Sequence, residues 1–164
     1  MEDIQMVEET SKQVDEMVAA IIGDRLDSIN TYIADVRNLY LTGKEILDDD
    51  LAKISLRIPT LLYDIIEYAQ KIEMRKGVAS EQAKYALNEA QLHATGTVGD
   101  KKAIAENMTA KERVKELAYK TASAIVQKTI DGASAILDST KKIQQTRLKE
   151  KQLSLMAGSS ACTF

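Results

Sequence analysis

The sequence predicts an all-α protein, and three observations carry that prediction. Punctuation is scarce, with one proline (Pro59) and seven glycines in 164 residues. Aromatic residues make up only 4% of the chain, and no run of alternating β-branched or aromatic residues reads as a strand. Apolar residues instead recur at gaps of three, four and seven over most of the length, the spacing of helices with one buried stripe. The expected architecture is antiparallel helical hairpins with one very long C-terminal helix, assembled into a helical homo-oligomer with coiled-coil-like packing. A hydrophobic fraction of 45% against 29% charged residues is enough to support a modest core in one domain.

The first stripe runs through Ile4, Val7, Val14, Met17, Val18, Ile21 and Ile22 and continues through Leu26, Ile29, Ile33, Val36, Leu39 and Tyr40. Gly23 with Asp24 either breaks it or is tolerated within one helix. "LTGKE" at 41–45 is a firmer stop, because Gly43 suits the left-handed residue past a helix end. A second helix is expected from about Glu45 to Lys76, with Leu51, Ile54, Ile58, Leu62, Ile65 and Ile72 on its apolar face. Pro59 lacks an amide hydrogen and crowds the preceding turn, so a kink or a fresh helix is expected there. "MRKG" ends the segment at Gly77, and Ser80 then fits the N-cap of a helix reaching about Ala94.

After "HATGTVGDKKA" a helical pattern holds from Val98 to about Met156, with Gly132 its only weak point. Fifty-eight residues at 1.5 Å each would span roughly 87 Å. A globule of this size has a radius of gyration near 15 Å, by the ordinary scaling. Such a helix must pack along other subunits, lie along an equally long antiparallel partner, or break near Gly132. The expected organisation is an acidic helical arm at 1–42, a helical core at 44–157 with its turn at 95–100, and a flexible tail at 158–164.

The net charge of −3 conceals an asymmetry. Residues 1–50 hold thirteen acids and four bases, a net −9, whereas the remainder carries +6. Opposite ends therefore suit different partners, or one subunit's acidic arm lies on another's basic surface. The lone Cys162 excludes an intrachain disulfide and a cysteine zinc cluster. No apolar run approaches a membrane span, and "MEDIQMVEE" is too acidic for a signal peptide, so a soluble cytoplasmic protein without membrane contact is expected.

The glycine turn is the one stretch with a ligand-binding look. "GTVGDKK" has the wrong spacing for a Walker loop, puts Asp100 where the lysine should stand and follows a helix rather than a strand. Gly96-Thr97-Val98-Gly99 matches the G-x-x-G of KH domains, but such a domain needs a sheet. The pattern reads better as a turn, with Gly96 past one helix end, Thr97 as the next N-cap and Asp100 completing its first turn. Lys101 and Lys102 remain available to an external anion. His93 is the only histidine and has no evident partner beyond Glu89, and "DDD" at 48–50 lacks the remaining ligands of a calcium loop and reads as a negatively charged helix start. No nucleophile, paired carboxylate or metal spacing suggests an enzyme, and no cofactor or metal is expected.

The strongest binding candidate is "KKIQQTRLKEK" at 141–151, where Lys141, Lys142, Arg147, Lys149 and Lys151 face Glu150 alone, a local charge of +4. On a helix such a cluster can neutralise phosphates, although it lacks interleaved aromatics for stacking on bases.

The layout from "LRIPTLLYDIIEYAQ" through "AKYALNEAQLHATGTVGDKKAIAE" to "LAYKTASAIVQKTIDGASAILDSTKKIQQTRLKE" resembles phage recombination mediators of the UvsY type over about residues 51–151. In these a helix ends in a small-residue glycine turn and feeds a long helix with a basic end. The resemblance implies a helical homo-oligomer that binds single-stranded DNA and helps load a recombinase by displacing the single-strand-binding protein, within an infected bacterium. Basic residues are expected in the helix before the turn, where this chain offers Lys84 but has Asn88 and Ala90 nearer Gly96. The candidate contacts are therefore Lys84, Lys101, Lys102, Lys141, Lys142, Arg147 and Lys149. The alternative is a non-enzymatic helical assembly or adaptor factor of a phage that binds proteins, including host proteins.

Overall fold

A computed structural model describes the backbone of residues 2–43 and 45–160 and the side chains of residues 7–43 and 45–156. Of the tail expected at 158–164, residues 161–164 with Cys162 lie outside the described residues. The fold is all-helical, with no strand among the described residues: α1 (Glu2–Ile22), α2 (Asp27–Leu41), α3 (Asp48–His93), α4 (Val98–Met108) and α5 (Ala110–Ser160). No described helix is long and apolar enough to cross a membrane.

The breaks follow local chemistry. The stripe that begins in α1 stops at Ile22, and a turn at Gly23 leads into α2. The α2 helix stops at Leu41, where Gly43 takes a φ of +65°, a conformation that a Cβ would oppose. Asp48, Asp49 and Asp50 fill the first turn of α3, where carboxylates meet the positive end of the helix dipole.

Two expected breaks are absent from α3. It is one helix of 46 residues: no fresh helix starts at Pro59, one of the two outcomes expected there, and none ends at Gly77 or starts at Ser80. Pro59 itself is exposed, so its ring displaces no core side chain. The next residue, Thr60, donates its hydroxyl to the Leu56 carbonyl at 2.9 Å. Gly77 is exposed and keeps a helical φ; Ile72, Ala79 and Ala83 are buried on either side of it. Their packing outweighs the roughly 1 kcal/mol that glycine costs a helix. Ser80 does not cap a helix; its hydroxyl donates to Glu116 at 2.9 Å.

A third correction concerns the C-terminal helix. The pattern starting at Val98 breaks at Thr109 and is continuous through Gly132, leaving α5 with 51 residues. Thr109 is buried, has φ −104° and ψ 14°, and donates its hydroxyl back to the Ala105 carbonyl at 2.8 Å. Its amide still donates to the Ala105 carbonyl at 3.1 Å and its carbonyl accepts from the Arg113 amide at 3.1 Å, so the interruption is confined to this one residue. Gly132 is exposed and lies within α5.

The packing divides the chain into two compact units, Met1–Leu26 with Ile65–Lys128 (unit 1) and Asp27–Asp64 with Thr129–Phe164 (unit 2). Within unit 1, Glu73 accepts from Ser123, Ser80 donates to Glu116, and Gln82 accepts from Lys115, so residue numbers rise along α3 as they fall along α5. Its core mixes Val14, Val18, Leu26, Ile65, Ile72 and Val126 with a long series of buried alanines, among them Ala79, Ala83, Ala90, Ala118 and Ala122. The Tyr68 hydroxyl donates to the Ile21 carbonyl, and the Arg25 guanidinium stacks 4.7 Å over the Tyr68 ring.

Unit 2 is built of larger side chains. Ile29 and Val36 of α2 and Leu51, Ile54, Ile58 and Leu62 of α3 are buried, opposite Ala133 and Thr140 of α5. Thr140 is fully buried and fully satisfied: it shares a 2.9 Å hydrogen bond with the Tyr40 hydroxyl and donates to the Ile136 carbonyl at 2.9 Å. The Arg57 guanidinium lies 5.0 Å over the Tyr32 ring.

Candidate nucleic-acid interface

The glycine turn is a helix cap. Gly96 has a φ of +115°, which only glycine adopts readily. The Thr97 hydroxyl accepts from the Asp100 amide while the Asp100 carboxylate accepts from the Thr97 amide at 3.1 Å, a reciprocal capping box. The Thr97 hydroxyl and the Asp100 carboxylate also lie 2.6 Å apart, and these bonds hold the Asp100 carboxyl below the usual carboxylate range. The first turn of α4 is thus filled by the chain's own carboxylate. Lys101 is half-buried and Lys102 exposed just beyond it.

Lys84, the third candidate in unit 1, lies on α3 and donates to Glu81 at 2.9 Å, which raises its pKa. Both side chains are exposed, and a pair of that kind adds little to stability. No hydrogen bond or ion pair among the described residues brings Lys84 together with Lys101 or Lys102.

The four remaining candidates belong to unit 2 and divide by helical phase. Ala133, Thr140 and Arg147 are spaced by seven and follow the buried line of α5, so Arg147 turns inward. Its guanidinium donates to Asp48 at 2.7 Å, and Lys151 donates to the other oxygen of the same carboxylate at 2.8 Å. The two hydrogen bonds, that from Lys151 foremost, hold the Asp48 carboxyl below its ordinary value. Two of the five basic residues of the cluster are therefore committed to the aspartate that opens α3, beside an open depression of about 490 Å³. Lys142 and Lys149 lie on the opposite side of the helix with Gln145 between them, and Lys141 flanks them; all three lysines are exposed. Together they form a short cationic stripe with Asp138 one turn before it, and no ion pair within 4 Å ties any of the three lysines to a described acid.

The Asp48 clamp was legible only in part, since the aspartate run read as a helix start and nothing local announces a partner 99 residues away. The break at Thr109 did leave a signal: Thr-Ala-Lys-Glu at 109–112 has the spacing of a capping box, although the Thr109 hydroxyl serves Ala105 instead. His93 is exposed, and the described residues hold no group of three His, Cys, Asp or Glu side chains placed to bind a metal ion.

The chain is thus an all-helical protein with three exposed lysines close together on the outer face of α5. Comparison with protein-family models, curated proteins and solved structures finds no match.

Proposed function

We propose that the protein is a single-stranded-DNA-binding recombination mediator. In this reading it is a phage protein of the infected cytoplasm, built of antiparallel helical hairpins joined into a helical homo-oligomer. It helps load a recombinase by displacing the single-strand-binding protein, and performs no chemical step of its own. The observation that carries the reading is the exposed stripe of Lys141, Lys142 and Lys149 on α5. The resemblance of residues 51–151 to UvsY-type mediators supplies the biological context.

Three lysines that each neutralise one phosphate give a salt slope of about −2 for single strands, which weakens binding about 20-fold between 50 and 200 mM salt. Fluorescence anisotropy with labelled poly-dT is the test. Lys141, Lys142 and Lys149 changed together to Glu should abolish salt-sensitive binding, whereas Lys84→Glu, which reverses a cation already paired with Glu81, should weaken it less. Normal binding by the triple variant would remove the site.

A second reading is supported by the acidic arm and by apolar side chains left exposed in unit 1, such as Val7 and Leu117. In it the chain is a protein-binding assembly or adaptor factor indifferent to DNA. It expects deletion of residues 1–42 to disrupt assembly while poly-dT has no effect at any salt concentration.

A further inference from the structure

In unit 1 an open groove of about 1280 Å³ runs between α1 and the segment formed by the end of α4 and the start of α5. Its floor is apolar. Val14 is buried, Met17 and Val114 are half-buried, and Val7 and Leu117 are 66% and 49% exposed. Exposed side chains of this kind, arranged between two helices, leave the hydrophobic effect unsatisfied.

The edges of the groove differ in sign. Glu16 stands on the α1 edge, with Glu9 two turns earlier and Lys12 between them on the same side of that helix, so this edge is acidic by one charge. Arg113 and Lys120 stand on the α5 edge, again seven residues apart. Lys120 lies 2.9 Å from Glu116, and Arg113 is 3.9 Å from Glu106. Both basic side chains are more than half exposed, so these short-range pairs are weak and can be shared or exchanged.

We propose that this groove is a contact between two copies of the chain related by a two-fold axis, with α1 of each copy lying against α5 of the other. A face with an apolar centre, one acidic edge and one basic edge is complementary to itself, which is what an isologous contact requires. The charges also select the axis. A two-fold axis lying along the groove places each acidic edge on the other copy's basic edge. An axis across the groove would set Glu9 and Glu16 against their own counterparts and Arg113 and Lys120 against theirs. Heptad spacing on both edges suits flanking pairs beside a helical seam, where such charges set partner and orientation. The contact does not depend on the nucleic-acid reading, since Lys141, Lys142 and Lys149 belong to unit 2.

The full chain should therefore sediment as a dimer, or as a multiple of two. Val7→Asp with Leu117→Asp replaces exposed side chains and leaves the buried core intact, so the helical circular dichroism should persist while the mass falls to that of a monomer. Unchanged mass in that variant overturns the proposal, as does a wild-type chain that stays monomeric at its highest soluble concentration.

Two charge variants test the pairing. Glu9→Lys with Glu16→Lys makes both edges basic, and Arg113→Glu with Lys120→Glu makes both acidic. Each alone should dissociate at least tenfold more readily than wild type, and an equimolar mixture should recover the association. If either variant self-associates as tightly as wild type, or if the mixture fails to recover, the crossed pairing is wrong.

Discussion

Units 1 and 2 use the same helical spacing to build different cores. Unit 2 seats Ile29, Leu51, Ile54 and Ile58 nearly or wholly out of water; Asp48 pins α3 to α5 at the surface, and Thr140 ties α5 to Tyr40 of α2 inside. Unit 1 fills much of the corresponding space with alanines. A fully buried leucine or isoleucine contributes about 1.5–3 kcal/mol by transfer, whereas an alanine contributes little beyond one methyl group. Alanine faces let helices approach closely and lose no side-chain entropy. The contrast shows that helical periodicity specifies where a core lies, while side-chain volume decides how tightly that core is held.

The largest expected effect breaks the heavier core. Ile58→Ala removes a fully buried side chain from unit 2 and should destabilise the protein by about 2–5 kcal/mol in chemical denaturation. The reciprocal experiment enlarges a small side chain in unit 1. Ala122 is fully buried, and Ala122→Leu should cost about 1–3 kcal/mol through overpacking. A more stable Ala122→Leu protein would mean that the alanine face is loosely packed, and the comparison would lose its basis.

Tyr40→Phe sharpens the comparison at smaller scale. It removes one partner from buried Thr140 but leaves the Ile136 carbonyl, so the loss should be about 0.5–1.5 kcal/mol in thermal or chemical unfolding.

The smallest stability effect is expected at Asp48, which is an exposed residue, and its value is diagnostic. Its folded pKa is depressed, so its contribution is present above the ordinary carboxylate pKa and is lost as pH falls through the lower folded value. Asp48→Asn should remove that acid-limb dependence, read as the disappearance of one low-pKa carboxyl from a titration followed by NMR. If α5 binds single strands, the same change frees Arg147 and Lys151 and should tighten poly-dT binding with a steeper salt slope.

Much of this organisation was legible in the residues. Period and sparse punctuation indicated helices throughout, and Gly43, Gly96 and the Thr97–Asp100 pair marked real ends because their chemistry is local. Gly77 misled, and Pro59 starts no fresh helix, for the opposite reason. Each weakens a helix only by a local penalty, and the burial of Ile58, Ile72, Ala79 and Ala83 by distant segments outweighs it. The cationic segment at 141–151 was visible as composition, but its division into an outward stripe and an inward clamp required the partner of Arg147. No spacing rule links Asp48 to a residue 99 positions away.

The spacing of the cross-helix bonds along the chain has a kinetic consequence. In unit 1 the α3–α5 bonds join residues 33, 36 and 50 apart, whereas in unit 2 they join residues 89, 99 and 103 apart. A threefold longer loop loses roughly 1 kcal/mol more entropy on closure. The alanine-rich unit is therefore the easier one for an unfolded chain to begin, and once formed it shortens the remaining search for the isoleucine-rich unit. Light side chains near the turn and heavy ones far from it give an order of assembly in which early contacts form readily and late contacts hold firmly.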